Sequence, residues 1–250
     1  MLMDEPTVTI RCHGSLNDFL PRRQRGRPFT LPWAAHETVK HLIEAAGVPH
    51  PEVAALLANG APVAFAYHVA PGDLIDVYPP EGAPPAIALR PPLAARRFVC
   101  DVHLGRLAAY LRMLGFDTRY SNDQDDARLA EIAAAEGRVL LTRDRGLLMR
   151  RAVVYGAYVR ATDPEAQLGE VARRFDLRQS AATFQRCLRC NGAMAPVAKA
   201  AILEQLQPKT RRYYDSFWRC EACGQLYWRG SHVSRMQAVI DRALGAAGGG

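Results

Sequence analysis

The sequence predicts an α/β protein built of three folded parts. Residues 1–80 combine short strands with one helix, residues 96–180 alternate strands with helices, and residues 181–240 contain two pairs of cysteines. The alternation in the middle part is typical of βαβ units and predicts a mainly parallel sheet with flanking helices. A Pro-rich linker is predicted at residues 81–95, and a flexible, Gly-rich tail at residues 241–250.

The N-terminal part is predicted to be an α+β roll of β-grasp type. It opens with the alternating strand TVTIRC and continues with the amphipathic helix HETVKHLIEAAGV. Strand and turn signals follow in LLANGAPVAFAYHVAPGDLIDVYPP. This part resembles the ubiquitin-like sulfur-carrier proteins, in which LANG, PGD and a final IDVYPP occupy comparable places. Those carriers end in Gly-Gly, whereas this chain continues into PPEGAPPAIALRPP, which argues against carrier chemistry.

The middle part predicts four strands, each followed by a helix. The predicted strands are RRFVCD, DTRY, RVLLT and VVYGAYV. The predicted helices are HLGRLAAYLRMLGF, DDARLAEIAAAEG, RDRGLLMRRA and DPEAQLGEVARRF, with apolar residues at helical spacing in the first of them.

Acidic residues follow the ends of these strands. Asp101 closes FVCD, Asp144 comes just after VLLT, and Asp125 and Asp126 begin the helix between them. Ligands of parallel sheets bind beyond the carboxyl ends of the strands, so these acids are expected to share one crevice. Converging carboxylates repel one another unless a cation is present, and oxygen ligands suit Mg²⁺ or Mn²⁺. The alternative is that Asp125 and Asp144 only cap their helices.

The C-terminal part predicts a structural zinc site. Cys187 and Cys190, and then Cys220 and Cys223, form two CxxC pairs separated by 29 residues. Four thiolates complete the tetrahedral coordination of Zn²⁺ and leave no open position, so this ion is expected to hold the fold and not to catalyse. A disulfide framework is the weaker alternative in a cytoplasmic protein.

Positive charge increases toward the C-terminus. Residues 1–80 contain 6 Lys/Arg and 8 Asp/Glu, residues 81–180 contain 16 and 13, and residues 181–250 contain 10 and 4. This distribution predicts contact with the phosphates of a nucleic acid. The alternative is codon bias, since 29 of the 32 basic residues are Arg.

Basic and aromatic residues surround the cysteine pairs and are typical of a surface that binds unpaired bases. They are Arg211, Arg212, Tyr213, Tyr214, Trp228, Arg229, His232 and Arg235. Phe217, Trp218 and Tyr227 are instead expected to fill the small core of the ribbon. No run of 18 apolar residues occurs, and the start MLMDEP is not a signal peptide, so a cytoplasmic protein without membrane contact is predicted.

Several motifs of the middle and C-terminal parts resemble the Mut-seven C-terminal RNase family. They are FVCDVHLGRLAAYLRMLGFDT and LLTRDRGLL in the middle part, and RCLRCNGAM and FWRCEACGQLYWRGSH around the cysteine pairs. The resemblance covers roughly residues 96–236. The family joins a PIN-like nuclease domain to a zinc ribbon, and a ubiquitin-like domain ahead of it is a known arrangement. The resemblance therefore implies RNA as the substrate and Mg²⁺ or Mn²⁺ as the catalytic ion. Separately, the β-grasp domain is predicted to be an interaction surface for a protein partner.

The resemblance also implies site residues. Asp101 and Asp144 match the first and a later acid of the family, and Asp126, with Asp125 beside it, matches the middle one. Arg145 and Gly146 stand where many PIN proteins have another acid, which predicts that a second metal ion is held poorly.

Three arginines are candidates for binding the substrate. Arg143 or Arg145 is expected to bind the scissile phosphate in a bidentate manner, and the alternative is a solvated helix start. Arg229 is expected to contact RNA from the ribbon. The predicted function is metal-dependent cleavage of RNA, and the alternative is a catalytically inactive RNA- or ribosome-associated binding module.

Overall fold

A computed structural model describes residues 5–182 and 185–245. The chain forms two compact units. The first unit comprises Met1–Ala94 with Asp144–Tyr158, and the second comprises Ala95–Arg143 with Val159–Gly250. No helix among the described residues is both long enough and apolar enough to cross a membrane.

The described residues form strands and α-helices that follow the predicted order. The strands are β1 (Thr7–Cys12), β2 (Phe29–Pro32), β3 (Ala55–Ala58), β4 (Ala61–Pro62), β5 (Leu74–Tyr78), β6 (Phe98–Cys100), β7 (Thr118–Arg119), β8 (Val139–Thr142), β9 (Gly156–Tyr158), β10 (Met194–Val197), β11 (Phe217–Cys220) and β12 (Leu226–Trp228). The α-helices are α1 (Val39–Ala45), α2 (Gly105–Met113), α3 (Asp126–Glu136), α4 (Arg145–Leu148), α5 (Pro164–Arg174), α6 (Pro208–Tyr213) and α7 (Ser231–Gly245).

The first unit contains the predicted β-grasp roll. Its mixed sheet has the strand order β2-β1-β5-β3-β4, with β1 parallel to β5 and the other neighbours antiparallel. Thr38 caps α1, and the helix buries Val39, Leu42 and Ile43 against the sheet core. The amphipathic segment of the first part thus forms one helix that packs on one sheet, as predicted. Strand β2 was missed, because FTLP is short and ends in proline.

Residues Asp144–Tyr158, which include β9, pack within the first unit. The amide of Tyr158 donates to Oε1 of Glu52 over 2.7 Å, and a ring nitrogen of His50 lies 2.7 Å from the carbonyl oxygen of Val153. The Pro-rich stretch 81–95 has no helix or strand, and Arg90 in it donates to the carbonyl oxygen of Pro51 over 2.8 Å. This linker therefore lies against the β-grasp roll.

In the second unit, β6 lies between β7 and β8, and both neighbours run parallel to it. Phe98 is in register with Thr118 on one side and with Val139 on the other. Helix α2 buries Leu107 and Leu111, and the fully buried strand β8 reads as a continuous apolar run, which is typical of parallel strands. The predicted parallel sheet is thereby confirmed.

The ribbon is a three-stranded antiparallel sheet with the order β10-β11-β12. Ile202, Leu206 and Phe217 form its buried core. Tyr214 and Trp228, predicted to belong to a surface that binds unpaired bases, are partly buried and pack against this core.

The C-terminus differs from the prediction. The tail expected from residue 241 is helical as far as Gly245, because α7 packs along α5 and Arg242 forms an ion pair of 2.7 Å with Glu165. Residues 246–250 of the predicted tail lie outside the described residues, as do the side chains of His232 and Arg235.

Candidate functional site

Asp101 is a buried carboxylate at the carboxyl end of β6. Its side chain accepts a hydrogen bond from the Val102 amide on Oδ1 and another from the Thr142 hydroxyl on Oδ2, each over 2.6 Å. The residue is 6% exposed, and Thr142 is fully buried. Because β8 lies next to β6 in parallel register, the last residue of β8 reaches the carboxylate that follows β6. Two donors thus fix the orientation of one acid at the sheet edge where ligands bind.

Asp125 and Asp126 stand at the start of α3. Asp125 is the N-cap residue, and its Oδ1 accepts from the amide of Arg128 over 2.8 Å. Asp126 is the first helical residue and is half-buried. Both acids lie where the helix dipole favours negative charge, as the capping alternative predicts for Asp125.

Asp144 caps α4. Its Oδ1 accepts from the amides of Gly146 over 2.6 Å and of Leu147 over 3.3 Å. The residue is exposed and belongs to the first unit. The sequence prediction of an acid where a strand ends and a helix begins is therefore correct in placement, and the predicted capping role is present.

Among the described residues, the carboxylate oxygens of Asp101, Asp126 and Asp144 do not come together as a group of three ligand atoms. Across residues 5–182 and 185–245, the four cysteines are the group of three or more His, Cys, Asp or Glu ligand atoms that come together. The donor chemistry of Asp101, Asp126 and Asp144 nevertheless fits a hard divalent ion, since ionised carboxylates offer lone pairs beyond those used by the hydrogen bonds.

The three candidate arginines have different surroundings. Arg143 donates to the backbone carbonyls of Arg160, over 3.0 Å, and of Ala161. Arg145 donates to the carbonyl oxygen of Phe19 over 2.8 Å, and its guanidinium lies 5.2 Å from the centre of the Phe19 ring. Backbone carbonyls thus hold both side chains, although Arg145 is exposed and Arg143 is half-buried. Arg229 is exposed, with its guanidinium 5.9 Å from the centre of the Trp218 ring.

The four cysteine sulfurs form a compact group. All lie within 4.8 Å of one another, with 3.7 Å between Cys187 and Cys223 and 3.4 Å between Cys190 and Cys220. Tetrahedral zinc with bonds of about 2.3 Å requires sulfurs roughly 3.8 Å apart. The cysteine geometry therefore fits this ion.

The residue after each cysteine pair has a left-handed backbone conformation, which closes the turn that holds the pair. Asn191 (φ 66°) and Gly224 (φ 72°) each follow the second cysteine of a pair. The amide of Asn191 donates to the Cys187 carbonyl over 2.9 Å, and that of Gly224 donates to the Cys220 carbonyl over 3.0 Å. Asn and Gly tolerate this conformation best, which explains their occurrence after CxxC.

Gly192 is needed for space between the two pairs. A Cβ atom at this position would lie 2.8 Å from Cβ of Ala222, 3.0 Å from the sulfur of Cys220 and 3.3 Å from the sulfur of Cys190. A side chain here would push the sulfurs apart.

The Tyr227 hydroxyl lies 3.1 Å from the sulfur of Cys187. Burial opposes ionisation of Cys187, but hydrogen bonds from this hydroxyl and from the Cys190 and Arg189 backbone lower its pKa to about 7. Tyr227 is thus a direct partner of the cysteine group and not only a core residue, which corrects the sequence prediction.

Polar side chains hold the first cysteine pair against the parallel sheet. Asn191 donates to Oδ1 of Asp117 over 2.6 Å, and its own oxygen accepts from the Thr118 amide over 3.0 Å. Arg112, only 5% exposed, donates to the carbonyls of Thr118 and Leu188, each over 2.9 Å. The ribbon and the sheet are therefore joined through buried and partly buried hydrogen bonds within the second unit.

Comparison with known proteins identifies the family. Residues 96–240 match the model of the Mut7-C RNase domain, which is more than half of the chain. The chain belongs to the Mut7-C RNase family. Residues 5–83 match the Mut7-C ubiquitin domain, so the predicted order of a ubiquitin-like domain followed by the RNase domain is confirmed.

A curated relative of this Mut7-C protein is the human exonuclease mut-7 homolog. It is 38% identical over 117 residues, which span 44% of this chain and 13% of the relative. The chain therefore matches only a small part of the length of that protein. No solved structure matches the chain. The family match and this relative together support a nuclease.

The sequence did not reveal several side chains that hold the candidate site and the ribbon in place. Thr142, which binds Asp101, stood inside the quoted motif LLTRDR but was read only as the end of a strand. Asn191 and Arg112, which join the ribbon to the sheet, carried weaker signals. The position of Asn191 directly after CxxC could have marked it as a left-handed residue, whereas nothing in the sequence distinguishes Arg112 from other helical arginines.

Proposed function

We propose that this protein is a metal-dependent ribonuclease with a PIN-like catalytic domain. One observation carries the proposal, namely the buried Asp101 at the end of β6, fixed by the Thr142 hydroxyl and the Val102 amide. A carboxylate held in this way, in a chain of an RNase family, is suited to binding a catalytic cation.

Asp101, Asp126 and Asp144 would hold Mg²⁺ or Mn²⁺, with Asp125 beside them. Such an ion supplies water activation and charge stabilisation at a phosphodiester. The chain itself contributes orientation, because Thr142 keeps Oδ2 of Asp101 directed toward the end of β8. Asp144 follows Thr142 by two residues, so the same strand leads to a second acid.

Arg143, Arg145 and Arg229 are proposed as contacts to the RNA. Arg143 and Arg145 each donate from guanidinium Nη1 to backbone carbonyls, which orients the guanidinium group and limits the entropy lost on binding a phosphate. The guanidinium of the exposed Arg229 lies over the ring of Trp218, a combination that suits base stacking and backbone binding.

The ribbon is proposed to bind Zn²⁺ through Cys187, Cys190, Cys220 and Cys223 and to help in binding RNA. Tyr213 supports this role, since it is 66% exposed and the guanidinium of Arg212 lies 5.5 Å from the centre of its ring. An exposed aromatic ring beside a cation offers a stacking platform to an unpaired base.

A second candidate is an RNA- or ribosome-associated binding module without catalysis. The capping hydrogen bonds of Asp125 and Asp144 favour it, since they give both acids a structural role. The two candidates make opposite predictions about cleavage.

Cleavage of labelled single-stranded RNA with Mn²⁺ distinguishes them. The ribonuclease proposal expects cleavage by the wild type and its loss in Asp101→Asn and Asp144→Asn proteins. Asp215→Asn, which alters an exposed acid of the ribbon, is the matched control and should cleave normally. A wild type that binds RNA but never cleaves it would favour the binding module.

A further inference from the structure

Four arginines stand close together in the first unit, in the segment RRQRGR at positions 22–27. All four side chains are exposed. The acid nearest to them in the sequence is Asp18, and no other acid occurs between residues 6 and 36. Residues 1–80 contain only 6 Lys/Arg in total, so this segment concentrates the positive charge of an otherwise acidic domain.

Asn17 fixes the position of this arginine segment. Its side-chain oxygen accepts from the amide of Gly26 over 2.7 Å, and its side-chain nitrogen donates to the carbonyls of Cys12 and Gly14, each over 3.0 Å. Gly26 has a φ of 70°, which completes the turn. The segment is therefore tied to the end of β1 and presents its side chains from a defined position.

Two of the four arginines donate hydrogen bonds to backbone carbonyls. Arg25 donates to the carbonyl oxygen of Leu20 over 2.9 Å, and Arg27 donates to that of Arg23 over 2.6 Å. In the part of the chain that the structure describes, the guanidinium groups of Arg22 and Arg23 have no carboxylate partner. Like charges this close repel one another, and a bound polyanion relieves that repulsion.

The arginine segment adjoins the turn that carries Asp144. Arg145, the next residue, donates to the carbonyl oxygen of Phe19 over 2.8 Å, while Arg25 binds the carbonyl of the following residue, Leu20. All of these residues belong to the first unit. A basic path therefore leads from Arg22 and Arg23 to the predicted catalytic turn.

We propose that the arginine segment binds the phosphate backbone of RNA and delivers it to the Asp144 turn, an inference that rests on the proposed ribonuclease function. Guanidinium groups bind phosphates in bidentate fashion, and backbone contacts position a strand without reading its sequence. The β-grasp domain is then part of the substrate-binding surface.

The test measures binding of the full chain to a labelled single-stranded RNA by fluorescence anisotropy, without added Mn²⁺ or Mg²⁺. Salt is varied between about 50 and 200 mM, a range over which counterion release changes affinity strongly. The variant is Arg22→Gln/Arg23→Gln. The matched control is Arg173→Gln/Arg178→Gln, which removes two exposed arginines from the second unit.

We expect the Arg22→Gln/Arg23→Gln protein to bind RNA on the order of tenfold more weakly, with a salt slope reduced by about 1.4, since each phosphate contact contributes about 0.7 for single strands. Arg22→Lys/Arg23→Lys should restore most of the slope, because the charge is kept. Unchanged affinity and slope, or a loss no larger than in the control, would overturn the proposal.

Failure of the two proposals is distinguishable. A wild type that shows the expected binding but cleaves no RNA with Mn²⁺ contradicts the ribonuclease function, since delivery to Asp144 then serves no catalysis. A wild type that cleaves while the Arg22→Gln/Arg23→Gln protein binds RNA normally contradicts the arginine segment alone.

Discussion

The hydroxyl of Thr142 donates a hydrogen bond of 2.6 Å to Oδ2 of Asp101, and the two residues end adjacent parallel strands. Neither residue could make this contact if β6 and β8 were separated by another strand. The strand order therefore creates the one buried, oriented carboxylate of the candidate site that the structure describes.

Removing the Thr142 hydroxyl should weaken both stability and catalysis. In Thr142→Val the shape is kept, but Oδ2 of a buried carboxylate loses its donor, which costs about 1–3 kcal/mol in the free energy of unfolding. Cleavage of RNA should fall roughly 10- to 100-fold, as for other residues that orient metal ligands. Thr142→Ser keeps the hydroxyl and should cleave at nearly the wild-type rate. Equal activity of the Val and Ser proteins would contradict the orienting role.

A methyl group at position 192 should disturb the cysteine group. Gly192→Ala places a Cβ atom 3.0 Å from the sulfur of Cys220, and overpacking of this kind costs about 1–3 kcal/mol. We expect a lower zinc content per chain and a lower melting temperature. Gly245→Ala is the control, because a Cβ atom there meets nothing within 4 Å. Full zinc occupancy and unchanged melting in Gly192→Ala would refute the steric argument.

Zinc removal should destabilise the second unit. The four sulfurs lie within 4.8 Å of one another and could hold one metal ion, so we expect one zinc ion per chain and a lower melting temperature after chelation. Cys220→Ser should reproduce the effect of the chelator, because three thiolates hold the ion less tightly than four. A soluble Cys220→Ser protein that melts like the untreated wild type would count against a structural zinc site.

Acid should weaken the contact between the ribbon and the sheet. Burial alone would raise the pKa of Asp117, but hydrogen bonds from Arg138 and Asn191 together with the charge of Arg138 lower it below its usual value. A carboxyl with a lowered pKa stabilises the fold above its unfolded value of about 3.9 and loses this effect as the pH falls through the folded pKa. Urea unfolding of the wild type should therefore show stability falling below about pH 4.

Asp117→Asn tests this origin of the pH dependence. The change leaves the buried Arg138 with a weaker partner, so we expect a loss on the order of 3 kcal/mol at neutral pH and a flatter profile in acid. Asp215→Asn, which breaks an exposed pair with Lys199, should stay within about 0.5 kcal/mol of the wild type. An unchanged acid profile in Asp117→Asn would mean that other carboxyls determine it.

Local patterns in the sequence were enough to predict the strands and helices of the middle part and the group of cysteines that could bind a metal ion. The amphipathic helices, the apolar strand β8 and the CxxC pairs each carry a short-range signal that tertiary structure did not override. Helix α7 was missed because its sequence follows the ribbon without a clear cap, and its packing along α5 is a long-range contact.

The side-chain partners of the site could not be predicted in the same way. The contact between Thr142 and Asp101 depends on which strands are neighbours, and the contact between Arg145 and Phe19 joins residues 126 positions apart. Such pairs follow from the fold and not from spacing. Only the quoted family motif LLTRDR marked the region in advance.

The central claim is that Asp101 holds a catalytic metal ion. The most direct test is a calorimetric titration of Mn²⁺ into the zinc-loaded wild type and into the Asp101→Asn protein. Cleavage of single-stranded RNA is measured on the same samples. Our account predicts that the wild type binds Mn²⁺ and cleaves RNA and that Asp101→Asn loses both together. Cleavage that survives in Asp101→Asn, or a wild type that binds RNA but neither binds Mn²⁺ nor cleaves, would contradict it.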